Sequence, residues 1–500
     1  MRANIQRPIE LGVGRKNASE WLPFALLVTG VPWGIWSFST LLGASGSQLL
    51  ELDAAAGWFV LLAIGYLGLH GLNGRAWCSV PVLLTLRALV EFVGVPAWRF
   101  AAGDDLVDAI YVHSMFLTLI GFAAFWIGSL AFMKETGLRF VASVRGTSNR
   151  VAFASAAMLG LGLAGNLVMW KFGLFSYTAD GASRESALGF IQWLSFFANL
   201  LNGALVVSAI EVLGKRSSGS LIRSVFWISI ICSVGCGVIS GMKSQLLGPL
   251  LSLVVVYAIT RGRIHRGALL LPLVLVMIYP FVGAYRNNLD NGYRTQANTL
   301  GGLAAVLEKS FDDVVLSRVS TSEATGKSFD QATDRLSLLS YVHDIVGLPD
   351  PSLLNGDEKI WLAPIYPLVP RFVWKSKPVL DKGSRLSVAL GHPITSSAAA
   401  TPIGDLYSLY GTYGVAVGML IYGICVQLYM NWAGGARSEK GLFFYISMLM
   451  TLINLEEDAV ALVAGIVQLG VILLITSYLI YGPTGSSMRI AKSPRLVAAS

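Results

Sequence analysis

A succession of uninterrupted apolar stretches bounded by charges runs through this chain, and it constrains the fold more than any other feature. A bilayer's hydrocarbon core is about 30 Å thick and takes about twenty helical residues to cross. In that medium every backbone N–H and C=O must find its partner inside the segment, so each stretch is expected to be a helix. Twelve spans are expected, with limits near Trp21 to Leu42, Ala54 to Leu72, Trp77 to Trp98, Val107 to Met133, Val151 to Trp170, Leu188 to Leu213, Ile222 to Ser240, Leu246 to Thr260, Gly267 to Tyr285, Leu406 to Trp432, Leu442 to Leu455 and Ala459 to Tyr481. The eleventh is short. The expected fold is therefore an all-α polytopic membrane protein. Composition agrees, since 54% of the 500 residues are hydrophobic and only 13% charged, about half the charge of an ordinary soluble chain. A soluble enzyme, a disordered chain and a disulfide scaffold are excluded together.

With a cytoplasmic N-terminus, Lys and Arg should gather in the even-numbered connections and the two tails. Those segments carry twenty, whereas the short outer loops carry four, namely Arg99, Lys171, Arg184 and Lys243. The net charge of +8 thus mostly records topology and gives no support to a nucleic-acid partner. The expected location is a bacterial inner membrane crossed many times, with both termini cytoplasmic. The first span lacks a convincing small-residue cleavage site and reads as an uncleaved anchor. Cys78, Cys232, Cys236 and Cys425 all fall within expected spans, so no disulfide outside the membrane is expected.

One connection breaks the pattern of short links, running about 120 residues from Arg286 to Asp405 on the outer, periplasmic face. A loop of that length is usually functional or a small domain of its own. Weak amphipathic patterns at Leu300 to Val319 and Ala332 to Val346 predict short helices packed on the bundle. The organisation expected is residues 1–285 as a transmembrane bundle of nine spans, 286–405 as the large loop, and 406–500 as three further spans with a tail.

No G-x-x-x-x-G-K-[ST] phosphate loop and no H-E-x-x-H occurs, and the five His are scattered, which speaks against an ATP-driven pump or a zinc protease. Neither a metal nor another cofactor is expected. Three outer constellations could carry chemistry. The first is basic: Lys243, Arg286, Arg294, Arg335, Arg371, Lys375 and Lys377. Arg binds phosphate with a planar fork, so the group suits a lipid-linked pyrophosphate; single interfacial cations can equally snorkel to headgroups. The second is the stiff run from Ala363 to Pro378, in which Tyr366 and Trp374 interleave with cations. Aromatic faces beside charged donors suit sugar rings, and an aromatic belt at the membrane interface is the alternative. The third runs from Thr401 to Gly414, where Asp405 stands at a helix start, either as a cap or as a general base for an acceptor hydroxyl, with Tyr407 beside it. His343, Asp334, Glu456, Glu457 and Asp458 compete for the base. Arg87 and Glu91 share one helix face in mid-span, which favours a structural ion pair.

In these residues the chain resembles the Wzy-type O-antigen polymerases, bacterial enzymes that polymerise oligosaccharide repeat units. The likeness rests on Gly241-Met242-Lys243, where the family tends to have Gly, a small residue and a basic one, on Tyr285-Arg286 and Asp334-Arg335-Leu336-Ser337, and most specifically on Pro370-Arg371-Phe372-Val373-Trp374-Lys375-Ser376-Lys377-Pro378. Gly404-Asp405-Leu406-Tyr407 with Gly411 and Gly414 completes it. It covers roughly the second half of the chain.

The resemblance implies a metal-independent glycosyltransferase acting on undecaprenyl-pyrophosphate-linked oligosaccharides at the periplasmic face. Arg286, Arg335 and Arg371 would bind the donor pyrophosphate and Asp405 would lie near the acceptor, with Lys243, Arg294, Trp374, Lys375, Lys377, Tyr407 and His343 lining the substrates. A chain-length regulator is the partner protein implied, besides the lipid bilayer. An O-antigen ligase differs only in its acceptor. A flippase or secondary transporter would be built from two related halves, which the sequence does not display.

Overall fold

The computed structural model describes residues 47–69, 78–102, 108–133, 149–175, 190–214, 219–261, 265, 267, 281–293, 296–320, 337–371, 373–391, 398–433 and 439–482. Within these the regular structure is helical, joined by turns and irregular segments, and no strand occurs among the described residues. The long helices are α1 (Ser47–Leu69), α2 (Val80–Ala88) continuing through a π-helical turn (Leu89–Gly94) into α3 (Val95–Ala102), α4 (Ala109–Ala131), α5 (Asn149–Lys171), α6 (Ile191–Gly214), α7 (Ser220–Ser240) and α8 (Lys243–Arg261). After helical turns at 281–288 come α9 (Leu300–Ser320), α10 (Leu338–Val346), α11 (Lys382–Ala389), α12 (Pro402–Ala433), α13 (Glu439–Leu452) and α14 (Ala459–Tyr481).

Eight helices among the described residues are long and apolar enough to cross a membrane, and they fall where spans two to seven, ten and twelve are expected. Expected span eight is α8, whose apolar part Gln245–Arg261 is shorter, and span eleven is α13, of 14 residues. Span one and most of span nine lie outside the described residues. The expected loop helix at Leu300 is present as α9, and the second expected pattern contains α10. Helix α12 begins at Pro402, so Asp405 lies in its first turn, and the boundary expected at 405 falls a few residues earlier.

A helix of 14 residues rises only about 21 Å at 1.5 Å per residue, short of the roughly 30 Å hydrocarbon core. Its terminal carbonyls need partners outside the helix, and side chains supply two of them. Tyr422 of α12 donates its hydroxyl to the Leu452 carbonyl, and Arg87 of α2 donates to that of Ile453 at 2.9 Å. The same guanidinium grips both carboxylate oxygens of Glu91 at 2.8 and 2.9 Å and reaches Glu456 at 2.6 Å. The expected Arg87–Glu91 pair is present, and its further task is to let residues 453–458 run unwound between α13 and α14.

The core holds an aromatic cluster of Phe59, Phe92, Phe122, Phe125 and Trp126. Its polar edges are paired, Trp126 Nε1 to Thr85 Oγ1 at 3.0 Å and the Tyr66 and Ser129 hydroxyls at 2.6 Å. Where lipid supplies no hydrophobic drive between helices, close backbone approach at small residues takes its place. Helices α4 and α12 meet in this way: a Cβ at Gly423 would come within 2.1 Å of the Phe125 carbonyl oxygen, and one at Gly128 within 2.3 Å of that of Leu420. Overpacking a core costs typically about 1–3 kcal/mol even when only side chains must move, and here backbone is in the way. Gly423→Leu should therefore lower the thermal midpoint of the purified protein well below that of Gly465→Leu, whose site on α14 meets only a Thr451 methyl at 3.8 Å. Equal midpoints for the two variants would contradict this packing.

Candidate functional site

Segment 337–391 lies across the end of the bundle at which α4, α12 and α14 begin, here called the loop end. Its attachment is built from the third constellation, residue by residue. Thr401 adopts φ 48°, a left-handed conformation unusual for a β-branched residue, and its Oγ1 accepts from the Gly404 N–H at 3.0 Å to cap α12. Gly404 makes room for α10, since a Cβ there would lie 2.5 Å from Ile345 Cδ1. Asp405 is fully buried. Its Oδ1 accepts from Lys382 Nζ of α11, while Oδ2 accepts from the N–H groups of Ala459 at 2.8 Å and Val460 at 3.4 Å. A carboxylate thus sits on the first turn of α14, where the helix dipole favours negative charge.

Lys382 is 2% exposed, and a buried ammonium is tolerable only when charge and hydrogen bonds are both met. Besides Asp405 it donates to Asn355 Oδ1 at 2.6 Å and to Ser408 Oγ at 3.3 Å. Asn355 Nδ2 in turn bonds the Ser408 carbonyl at 2.9 Å. A second pair, Arg385 to the buried Glu358, lies beside it. Asp458 caps α14 through the Ala461 N–H at 2.7 Å, and burial, then the nearby Asp405 charge, push its carboxyl up to about 6.

The proline-rich run folds into successive turns against α14. Tyr366 is buried on Val460, its hydroxyl accepts from the Lys359 N–H at 2.8 Å, and Trp374 lies against its ring at 5.7 Å. Half-buried Arg371 donates to the Pro378 carbonyl at 3.1 Å, and Lys377, 9% exposed, donates to the Val369 carbonyl at 3.1 Å. The partners of both cations are neutral carbonyls, and no carboxylate pairs with either among the described residues. Burial, then the Arg371 charge, pull Lys377 below its ordinary proton affinity. Lys375 is exposed.

Arg286 belongs to a different cluster. Its Nε donates to the Gly241 carbonyl, and the hydroxyl of buried Tyr285 donates to that of Ile239 at 3.0 Å. The Tyr285-Arg286 and Gly241-Met242-Lys243 motifs, far apart in sequence, are thereby joined at the turn between α7 and α8. Arg294, Arg335 and Asp334 lie outside the described residues, as does the side chain of Lys243.

His343 and Tyr407 join a third group at the start of α4. The His343 ring stacks on Tyr111 at 4.0 Å and lies 3.4 Å from both Asp108 and Asp344, while Tyr407 faces His113 at 6.0 Å. Burial opposes charge on His343, but the two carboxylates outweigh it and hold the ring above its ordinary value. Asn355, Lys382, Arg385 and Ser408 were not singled out by sequence, and for Lys382 no local pattern could have done so, since its partner lies on another helix.

A model described as "Domain of unknown function (DUF8712)" matches residues 109–436. The chain belongs to this family. The match runs from α4 past the end of α12, and so takes in the three outer constellations, but not Arg87 or the helix that Asp405 caps. Neither a curated protein nor a solved structure matches the chain.

Because the folded state raises the His343 proton affinity, the contribution is fully present below the unfolded value, near 6.5, and is lost as pH rises through the folded value. The thermal midpoint of the wild type, relative to His343→Gln, should fall over that interval. A constant difference across it would remove the His343–Asp108–Asp344 interaction from the account.

Proposed function

We propose that this protein is a membrane-embedded glycosyltransferase that polymerises undecaprenyl-pyrophosphate-linked oligosaccharide repeat units at the periplasmic face of a bacterial inner membrane. The observation that carries the reading is the Arg371–Lys377 pair, two adjacent cations held in stiff turns with no carboxylate opposite them among the described residues. Uncompensated buried positive charge is costly, and a phosphate or pyrophosphate supplies the missing anion. Trp374 and Tyr366 beside the pair offer faces of the kind that sugar rings stack on.

A glycosyl pyrophosphate is already activated, so the chain must supply stabilisation of the leaving group, a proton acceptor and positioning. In this reading the acceptor hydroxyl attacks the anomeric carbon and gives its proton to the Asp458 carboxylate, the bond from that carbon to the phosphate oxygen breaks, and Arg371 and Lys377 take up the charge left on the pyrophosphate. Asp405, saturated by Lys382 and the α14 N–H groups, acts as a positioning residue that holds the segment in place. Asp458, pushed up to about 6, is the carboxyl at this end of α14 whose proton affinity best suits exchange near neutrality. The resemblance in the sequence supports the same donor, and a ligase would share it.

Arg371→Ala should leave protein levels near wild type and abolish long surface chains, with single repeat units remaining. The loss expected for removing one such donor is on the order of 3 kcal/mol, about a hundredfold in rate. Lysine should rescue only in part, as a point charge without the fork. Gel separation of the surface polysaccharide is the readout. Full-length polymer from Arg371→Ala would end the pyrophosphate role of the pair, full-length polymer in a deletion strain would overturn the polymerase, and loss of all surface glycan there would favour a ligase or flippase.

A further inference from the structure

A cavity of about 300 Å³ opens among α5, α6, α7 and α8 and is lined chiefly by Asn166, Ser195, Asn199, Asn202, Ser233 and Gln245, with Phe175 on one wall. Among the described residues, no Asp, Glu, Lys, Arg or His lines it. Uncharged amides and hydroxyls offer donors and acceptors in near balance, which disfavours an ion and suits a ligand rich in hydroxyl groups. Its size is at the lower end for small-molecule sites.

Polar side chains are expensive inside a membrane bundle and tend to mark substrate paths. Interhelical bonding accounts for only part of this set. Asn166 Nδ2 does bridge helices, donating to the carbonyls of Gly162 at 2.8 Å and Ala198 at 3.2 Å. Ser233, however, is 4% exposed and its Oγ has no partner among the described residues. A buried hydroxyl left unpaired costs about 1–3 kcal/mol, a cost that a hydrogen-bonding occupant removes. Asn199 and Asn202 stand three residues apart on α6, the spacing that puts both on one face.

The cavity's place in the bundle sets its neighbours. Ser233 and Gly237 lie in the last two turns of α7 and Gln245 in the first turn of α8. The cavity therefore lies below the Gly241 turn that Arg286 holds, at the loop end of the bundle. From these observations we infer that the cavity is a subsite for one uncharged sugar ring, with the Asn199 and Asn202 amides bonding its hydroxyls and Phe175 against its apolar face. The choice of a sugar among polyols rests on the proposed function.

Cys236 lines the cavity and is half-buried, so it can report occupancy. In purified protein carrying Cys78→Ala, Cys232→Ala and Cys425→Ala, N-ethylmaleimide should label Cys236. Neutral methyl glycosides (glucoside, galactoside and N-acetylglucosaminide), at tens of millimolar, should slow that labelling severalfold in at least one case. Glucose 6-phosphate and inorganic phosphate should not, and Asn199→Ala with Asn202→Ala should remove protection while leaving labelling intact. Protection by no glycoside, equal protection by the phosphates, or protection that survives the two substitutions would each overturn the inference. This binding measurement does not depend on polymerisation. Protection by a glycoside together with long chains in a deletion strain would keep the subsite and discard the polymerase.

Discussion

The buried ion pair between Lys382 and Asp405 is the contact on which the loop end of this protein depends. Taking two charges out of water costs several kcal/mol per ion, and the cost is offset only where geometry and extra hydrogen bonds are both good. Here the ammonium meets Asn355 and Ser408 besides the carboxylate, and the carboxylate meets two N–H groups of α14. One network therefore fixes the 355 region, α11, α12 and α14 relative to one another. Tyr366 on Val460 adds an apolar contact next to it, so the turns that carry Arg371 and Lys377 have a set position over the bundle.

A second polar centre performs a related task at the end of α13. Arg87 gathers Glu91, Glu456 and the Ile453 carbonyl, which allows α13 to stop short and the chain to reach the first turn of α14 unwound. The two centres lie at the two ends of the same short stretch, 453–460. The acidic run Glu456-Glu457-Asp458 is thus divided among tasks, with Glu456 on Arg87 and Asp458 as the cap of α14. This division also explains why the position of the last span in sequence was clear while the one before it was not.

Long apolar runs were the legible part of the fold, because hydrocarbon leaves the backbone no choice but helix; eight of them stand at their expected places. What the chain does at residues 442–458 was not legible, since an apolar run reads alike whether it crosses the membrane or stops after 14 residues against Tyr422 and Arg87. The Gly404-Asp405 motif was visible, but its partner was not: Lys382 is one of many cations in a long loop, and only the tertiary fold brings it to α12. Arg371 and Lys377 were legible as a basic, proline-stiffened run, although their lack of a carboxylate partner is a property of the folded structure. Asn199 and Asn202 could have been noticed as two amides in an apolar span, yet the cavity they line needs four helices. Arg294 and Arg335 fall outside the described residues, so the pyrophosphate site rests on Arg371 and Lys377.

The claim that the loop end is organised by a buried, mutually satisfied pair is tested most directly by a double-mutant cycle on Lys382→Met and Asp405→Leu, read by thermal and denaturant stability of the purified protein. Each single substitution leaves one buried charge without its partner and should cost on the order of 3–5 kcal/mol. With both substitutions no charge is stranded, so the loss should be clearly smaller than the sum and smaller than that of Lys382→Met alone. Strictly additive losses, or single variants as stable as the wild type, would contradict the account.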